Sequence, residues 1–222
     1  MTTFLKTTVQ TIAIGIISPL LLTHLLLSVL SSADSSLESH SQLLSLIPGK
    51  LGSYLRVAFY RFTLDHCDPT ATICFGVLFS KTGARLHQNV YIGPRCMIGL
   101  ATLDDDVLLG PAVQIPSGPQ SHGISRLDVP IRDQPGTLQR ISIGRDSWIG
   151  GGSFVLADIA AQCVVGAGSI VTKPTQPQTI SVGNPARPVG KRGEPSTVSA
   201  SNTAGATATQ VDEVRADETL VS

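Results

Sequence analysis

The chain has no surplus of charge. Over 222 residues, 16 Lys and Arg balance 16 Asp and Glu, so there is no basic field to hold a nucleic acid and no acidic excess to keep the chain solvated. Cysteine is sparse and unpaired. Cys67, Cys74, Cys96 and Cys163 form no CxxC pair, and no Cys/His group has the spacing of zinc ligands, which argues against a metal site. The four read as reduced, packed thiols, as in a cytosolic protein. The length suits one domain with some chain left over for an anchor or a tail.

That surplus lies at the ends. "TIAIGIISPLLLTHLLLSVL", Thr11 to Leu30, carries no charge over 20 residues, enough for a helix to cross a hydrocarbon core of about 30 Å. Three readings stand: a spanning anchor, a helix lying on the membrane surface, or a secretory signal. The last is prompted by Lys6 and the small residues Ser31 and Ala33, although the apolar run exceeds a usual signal core. Pro19 and His24 argue against a simple spanning rod. We take 1–34 as an apolar leader with a membrane contact through 11–30. A Ser-rich linker carrying His40 follows. Over 41–66, Leu44, Ile47, Leu51, Leu55, Ala58, Phe59 and Phe62 recur at helical steps, with Lys50, Arg56 and Arg61 between them. This predicts an amphipathic helix, restarted after Pro48-Gly49, that either caps the repeat beyond it or lies on an anionic membrane. The Ser/Thr/Ala-rich segment 191–222 reads as a disordered tail.

Between 71 and 190 the chain keeps a period of six. "ICFGVL" from Ile73, "LHQNVY" from Leu86, "IGPRCM" from Ile92, "LDDDVL" from Leu103, "LGPAVQ" from Leu109, "IGRDSW" from Ile143, "IGGGSF" from Ile149, "IAAQCV" from Ile159 and "VGAGSI" from Val165 all begin with an aliphatic residue and have a slim fifth residue. Six suits neither an α-helix nor an alternating strand. It suits a short strand plus a corner, three of which make a triangular coil. First and fifth residues then face a narrow interior, so Cys96 and Cys163 are structural. The frequent glycine at the second position reads as a corner that needs unusual backbone angles. "IGLAT" (98–102) and "VLAD" (155–158) fall short of a hexad and should only tighten a corner.

The rhythm stops at residues 116–140 and then resumes in step. A coil closed by its own hydrogen bonds can extrude such a loop and continue. Long loops in compact domains are usually functional or disordered, and this one holds His122 among glycines and polar residues. By its residues alone His122 is either an exposed loop histidine or a proton acceptor.

The hexads, the resumption "IGRDSWIGGGS", and then "VVGAGSIVTKP" and "VGNPARPV" closely resemble the hexapeptide-repeat acyltransferases. The closest likeness is to the O-acetyltransferases of exopolysaccharide and colanic-acid synthesis, akin to the maltose and xenobiotic acetyltransferases. The resemblance implies a mainly β fold, a left-handed parallel β-helix preceded by N-terminal helices, and transfer of an acetyl group from acetyl-CoA to a saccharide hydroxyl. It also implies a homotrimer with sites between subunits. "HGISRLDVPI" matches a loop histidine followed by an Asp-x-Pro-like element, which makes His122 the general base and Asp128 an acceptor contact; Asp105 resembles an acceptor-binding carboxylate. Small residues at Gly150, Gly151, Gly166, Ala167 and Gly168 would either open backbone amides to the donor or serve corner geometry. Lys173 and Arg187 are candidates for the nucleotide phosphates. Trp148 should point outward, walling the cleft or meeting a neighbouring subunit. The expected location is the cytoplasm, at the inner face of the membrane. The alternatives are a γ-class carbonic anhydrase, for which His87 and His122 lack a third histidine, and a non-catalytic scaffold at a membrane.

Overall fold

The computed structural model describes residues 2–194. Three helices come first: α1 (Thr2–Leu30), α2 (Ala33–Ser45) and α3 (Gly49–Thr63). Strands of two to five residues follow and stack as a left-handed parallel β-helix of about six turns. The first face holds His66–Cys67, Arg85–Leu86, Ala101–Leu103 and Ile141–Ile143. The second runs from Thr72–Ile73 through Tyr91–Ile92, Leu108–Leu109, Trp148–Ile149 and Val164–Val165 to Thr179–Val182, with Arg187–Lys191 added antiparallel at its end. The third stacks Leu78–Phe79, Met97–Ile98, Gln114–Ile115, Phe154–Val155 and Ile170–Val171.

The inward columns follow the period of six. Every first-position residue from Ile73 to Val165 is at most 2% exposed and every fifth-position residue at most 1%. Removing these aliphatic side chains from water stabilises the coil by roughly 1.5–3 kcal/mol each. The serines in the narrow interior are bonded: Ser147 Oγ donates to Ala160 O, and Ser153 Oγ to Gly166 O. The two shortened repeats leave the stacking intact. After 155–158 the first-face strand shrinks to a single bridge, Ile143 to Ile159.

The second-position glycines have a different cause from the one expected. Positive φ falls at the fourth position of all nine hexads, and six of those residues are not glycine: Asn89, Arg95, Asp106, Ala112, Asp146 and Gln162. The second position has ordinary angles but no room. A Cβ on Gly110 would lie 2.6 Å from Gly151 N, and one on Gly150 would lie 2.4 Å from Ala167 N. Glycine stands there because adjacent coils approach closely.

The cap also departs from the pattern. The Ser-rich stretch is not a linker but the helix α2, with Ser32 as its N-cap accepting from Ser35 N at 3.1 Å. Serine is a weak helix former but a good cap, and α2 gains its stability by burying Leu37 and Leu44. α3 begins directly after Pro48. On it Leu55, Ala58 and Phe59 are buried, whereas Leu51 and Phe62 are exposed, so the inner stripe is narrower than the apolar spacing implies. Arg56, expected on the polar side, is fully buried. Its guanidinium donates to Ile73 O, Leu44 O and Ile47 O, which ties α2 and α3 to the first coil. At the other end, ordered chain continues past 190: Arg192 donates to Asp146 O at 2.7 Å. The remainder of the expected tail, 195–222, lies outside the described residues.

Candidate functional site

The interruption forms an arm over residues 116–140, between Gln114–Ile115 on the third face and Ile141–Ile143 on the first. The coil resumes in register, with Ile141, Ser142 and Ile143 opposite Ala101, Thr102 and Leu103. The arm is organised, not slack. Its base is closed by Gln139 N to Ser117 O and Thr137 N to Gln120 O. Its turn is held by buried Gln134, whose amide donates to Arg126 O and Val129 O and accepts from Arg126 N. The tip exposes apolar side chains, with Leu127 fully open to solvent and Ile124 76% exposed.

This geometry lays His122 beside the third face. Ser121, His122 and Leu138 of the arm, Met97, Gln114 and Phe154 of the coil, and Glu38 and Gln42 of α2 line a cavity of about 400 Å³. His122 itself is exposed at the rim. Glu38 and Gln42 escaped the sequence reading because a serine-rich segment carries little helical signal; the Ser32 cap three residues before Ser35 was the usable clue. Lys81, which also lines the cavity, is engaged by Asp34 at 3.0 Å. Burial opposes ionisation of Asp34, but the Thr82 N–H, Lys81 and the Thr82 hydroxyl together hold its carboxyl below the usual range.

The other candidates sit elsewhere on the single chain. Asp105, at the corner between the first and second faces, accepts from Gln88 N at 2.9 Å. Asp128, on the arm, is paired with Arg126, which lowers its pKa. Neither lines the His122 cavity. Gly150, Gly151, Gly166, Ala167 and Gly168 occupy the corner between the second and third faces, whereas the arm leaves from the corner between the third and first. One chain therefore does not bring them to His122. At that corner Gly150 N and Gly166 N are spent on Val165 O and Ser181 O, and Gly168 N on Gly151 O. The N–H groups of Gly151 and Ala167 find no acceptor among the described residues, and their nitrogens stand close to Gly110 and Gly150 of the preceding coil. Lys173 and Arg187 are exposed on the later coils. Trp148 points outward, 53% exposed, in line with Leu108 and Val164.

All four cysteines are free. Burial pushes the Cys67 thiol up to about 12 and Cys96 up to about 11, which removes both as nucleophiles near neutral pH. The rings of His66 and His87 lie 4.9 Å apart on the first face. Among the described residues no three His, Cys, Asp or Glu side chains gather as metal ligands.

A maltose O-acetyltransferase from Clostridium difficile 630 superposes with a TM-score of 0.62 at 22% identity, covering 72% of this chain and 89% of that one. The fold is that of the hexapeptide-repeat acetyltransferases. A galactoside acetyltransferase in complex with coenzyme A gives a TM-score of 0.58 at 20% identity over 71% of this chain and 82% of the other. In sequence, nodulation protein L of Rhizobium leguminosarum bv. viciae is 34% identical over 114 residues, 49% of this chain and 48% of that protein. The chain spans less than half the length of the curated relatives it matches. No family model matches it.

Proposed function

We propose that the protein transfers the acetyl group of acetyl-CoA to a hydroxyl of a saccharide or polysaccharide precursor, as a homotrimer with His122 as general base. The observation that carries this reading is the arm that sets His122 at the rim of a cavity beside the third face. The other walls of that cavity present Glu38, Gln42 and Gln114, groups suited to sugar hydroxyls. The names of the solved neighbours, a maltose and a galactoside acetyltransferase, the latter with bound coenzyme A, support the same chemistry.

An alcohol is scarcely ionised at neutral pH, so its attack on a thioester needs proton removal as the C–O bond forms. The imidazole of His122 takes that proton. The hydroxyl oxygen adds to the thioester carbonyl, the tetrahedral oxyanion is met by a backbone N–H, and its collapse breaks the C–S bond. The thiolate leaves with the proton returned from the imidazole. No acyl-enzyme is needed, in keeping with thiols that burial holds protonated. For the donor, the N–H groups of Gly151 and Ala167, which have no acceptor among the described residues, suit the amide carbonyls of a pantetheine arm, and Lys173 and Arg187 suit phosphates.

The outer faces support a trimer. The first face is polar, with His66, Arg85, Thr102 and Ser142 outward. The second carries Tyr91, Leu108, Trp148, Val164 and Ile180 beside Thr72, and the third Leu78, Met97, Phe154 and Ile170 around Gln114. Two unlike, mostly apolar faces joined at one edge suit a heterologous contact, second face against third, that closes after three copies. Such closure would bring the Gly151/Ala167 corner of one subunit towards His122 of the next and cover the apolar tip of the arm.

The test is incubation with labelled acetyl-CoA and a panel of saccharide acceptors. The His122 imidazole holds no structural partner among the described residues, so His122→Ala should fold normally and lose about 10²- to 10⁴-fold in turnover. Mixed trimers of His122→Ala and Lys173→Ala chains should regain activity. Normal turnover by His122→Ala would refute the assignment, and absence of rescue would refute shared sites.

A further inference from the structure

α1 leaves most of its large apolar side chains uncovered. The most apolar 18-residue window within Thr8–Leu30 has a mean hydropathy of 2.2, and only 11% of it is buried. Lys6 is the only charged residue among the first 33. Its inner side is fixed to the body: Ala13 and Ile17 are buried, Gln10 Nε2 donates to Pro69 O, and Thr23 and His24 bond with His40 and Ser36 of α2. Phe59 of α3 packs against both histidine rings at 5.6–5.7 Å. Its outer side is an uninterrupted aliphatic stripe at helical spacing: Ile12, Ile16, Pro19, Leu22, Leu26 and Val29, all exposed. At 1.5 Å per residue that stripe is about 25 Å long.

We propose that α1 docks the protein on a lipid bilayer, with the helix axis in the membrane plane and the stripe seated at the acyl boundary. A spanning orientation conflicts with the inner contacts. α2 and α3 would be carried into hydrocarbon beside α1 with Glu38, Lys50 and Arg61 exposed on them, and charged groups are costly there. A second copy of the chain fits the stripe less well, because protein interfaces mix aromatic and hydrogen-bonding groups with the aliphatic ones, and this stripe has neither. Charge agrees with a lipid surface. No carboxylate lies among the first 33 residues, whose one charged side chain is Lys6, and the exposed Lys50 opens α3, so nothing acidic on α1 opposes anionic head groups.

Flotation of the full chain with vesicles of phosphatidylcholine, alone or mixed with phosphatidylglycerol, tests this. The wild-type chain should float with both and more strongly with the anionic mixture. Leu22→Glu/Leu26→Glu alters two exposed side chains and should lose about 100-fold in partitioning, with circular dichroism and oligomeric state unchanged. Fluorophores on Ile12→Cys and Val29→Cys should be quenched equally by brominated lipids, at shallow depth. Failure of the wild-type chain to float, equal flotation of the double variant, or unequal depths for the two probes would overturn the proposal. A changed oligomeric state in the double variant would also overturn it and would mean that a second copy covers the stripe.

Discussion

Gly150→Ala separates the two explanations of the second-position glycines. Gly150 is buried, and its N–H donates to Val165 O of the next coil at 2.7 Å. An added Cβ would lie 2.4 Å from Ala167 N, 2.7 Å from Ala167 Cα and 2.8 Å from Gly166 C, whereas carbon contacts are comfortable at about 3.5 Å or more. The obstacle is the backbone of the next coil and not a flexible side chain, so the coils must part by roughly 1 Å. Overpacking of this kind costs about 1–3 kcal/mol, and weakening one inter-coil hydrogen bond adds about 1 kcal/mol, giving about 2–4 kcal/mol in total. Gly152→Ala is the control. Gly152 has φ +71°, but nothing lies within 4 Å of an added Cβ. The left-handed penalty of about 1–2 kcal/mol is partly offset by the lower entropy of the unfolded chain, which leaves about 1 kcal/mol or less. Urea unfolding followed by far-UV circular dichroism, with the single Trp148 as a second probe, reads both. The reasoning fails if Gly152→Ala is as destabilising as Gly150→Ala.

Arg56→Met removes the donor from three carbonyls at the junction of α2, α3 and the first coil. Relief from burying a guanidinium whose Nη2 has no partner offsets part of the loss, leaving a destabilisation of about 2–4 kcal/mol in a denaturant titration; an unchanged midpoint would count against the junction. Asp34 has a folded-state pKa below its ordinary 3.8, so the folded state binds fewer protons there. Its contribution is present above pH 3.8 and fades as the pH falls towards the folded value. Asp34→Asn should therefore lower stability at neutral pH and flatten the acid limb of the stability curve, and an unaltered limb would contradict the contact with Lys81 and Thr82. Leu108→Arg on the second face and Met97→Arg on the third should each give monomers by sedimentation; trimers from both would exclude those faces as the interface.

How far the sequence could be read depended on whether a position answers to burial or to neighbours distant in the chain. The inward columns repeat every six residues because each coil buries the same side chains, so Ile92, Leu109, Ile149 and Val165 are legible without coordinates. The left-handed fourth positions are not. Asn, Arg, Asp, Ala and Gln all adopt positive φ there, at the expense of intrinsic preference, because the inter-coil hydrogen bonds on either side fix the corner. The glycines at the second position were visible, but their cause lies in backbone a full turn away. The arm was visible as a break in rhythm; Gln134, which organises it, carries no signal in a polar segment. Arg56 was misplaced for a similar reason, since the carbonyls that justify its burial come from α2 and from the first coil. His122 and the Gly151/Ala167 pair stand at different corners of one chain, so the proposed union of the two carries no signal in a single sequence.

α2 joins what would otherwise be separate features. One side of it supplies Glu38 and Gln42 to the His122 cavity; another receives Thr23 and His24 of α1; its first turn is pinned to the coil through Asp34, and its last carbonyls by Arg56. A displacement of α1 therefore reaches the cavity through one rigid helix of 13 residues. Vesicle binding and turnover should be coupled in one direction in particular. Loosening the pins with Asp34→Asn, which touches neither the exposed stripe of α1 nor His122, should raise KM for the acceptor more than it lowers kcat, since Glu38, Gln42 and the released Lys81 line the cavity and would contact the acceptor and not the breaking thioester bond. An unchanged KM in that variant, with the acid limb of stability flattened as expected, would mean that α2 is only a cap and that the acceptor is held elsewhere.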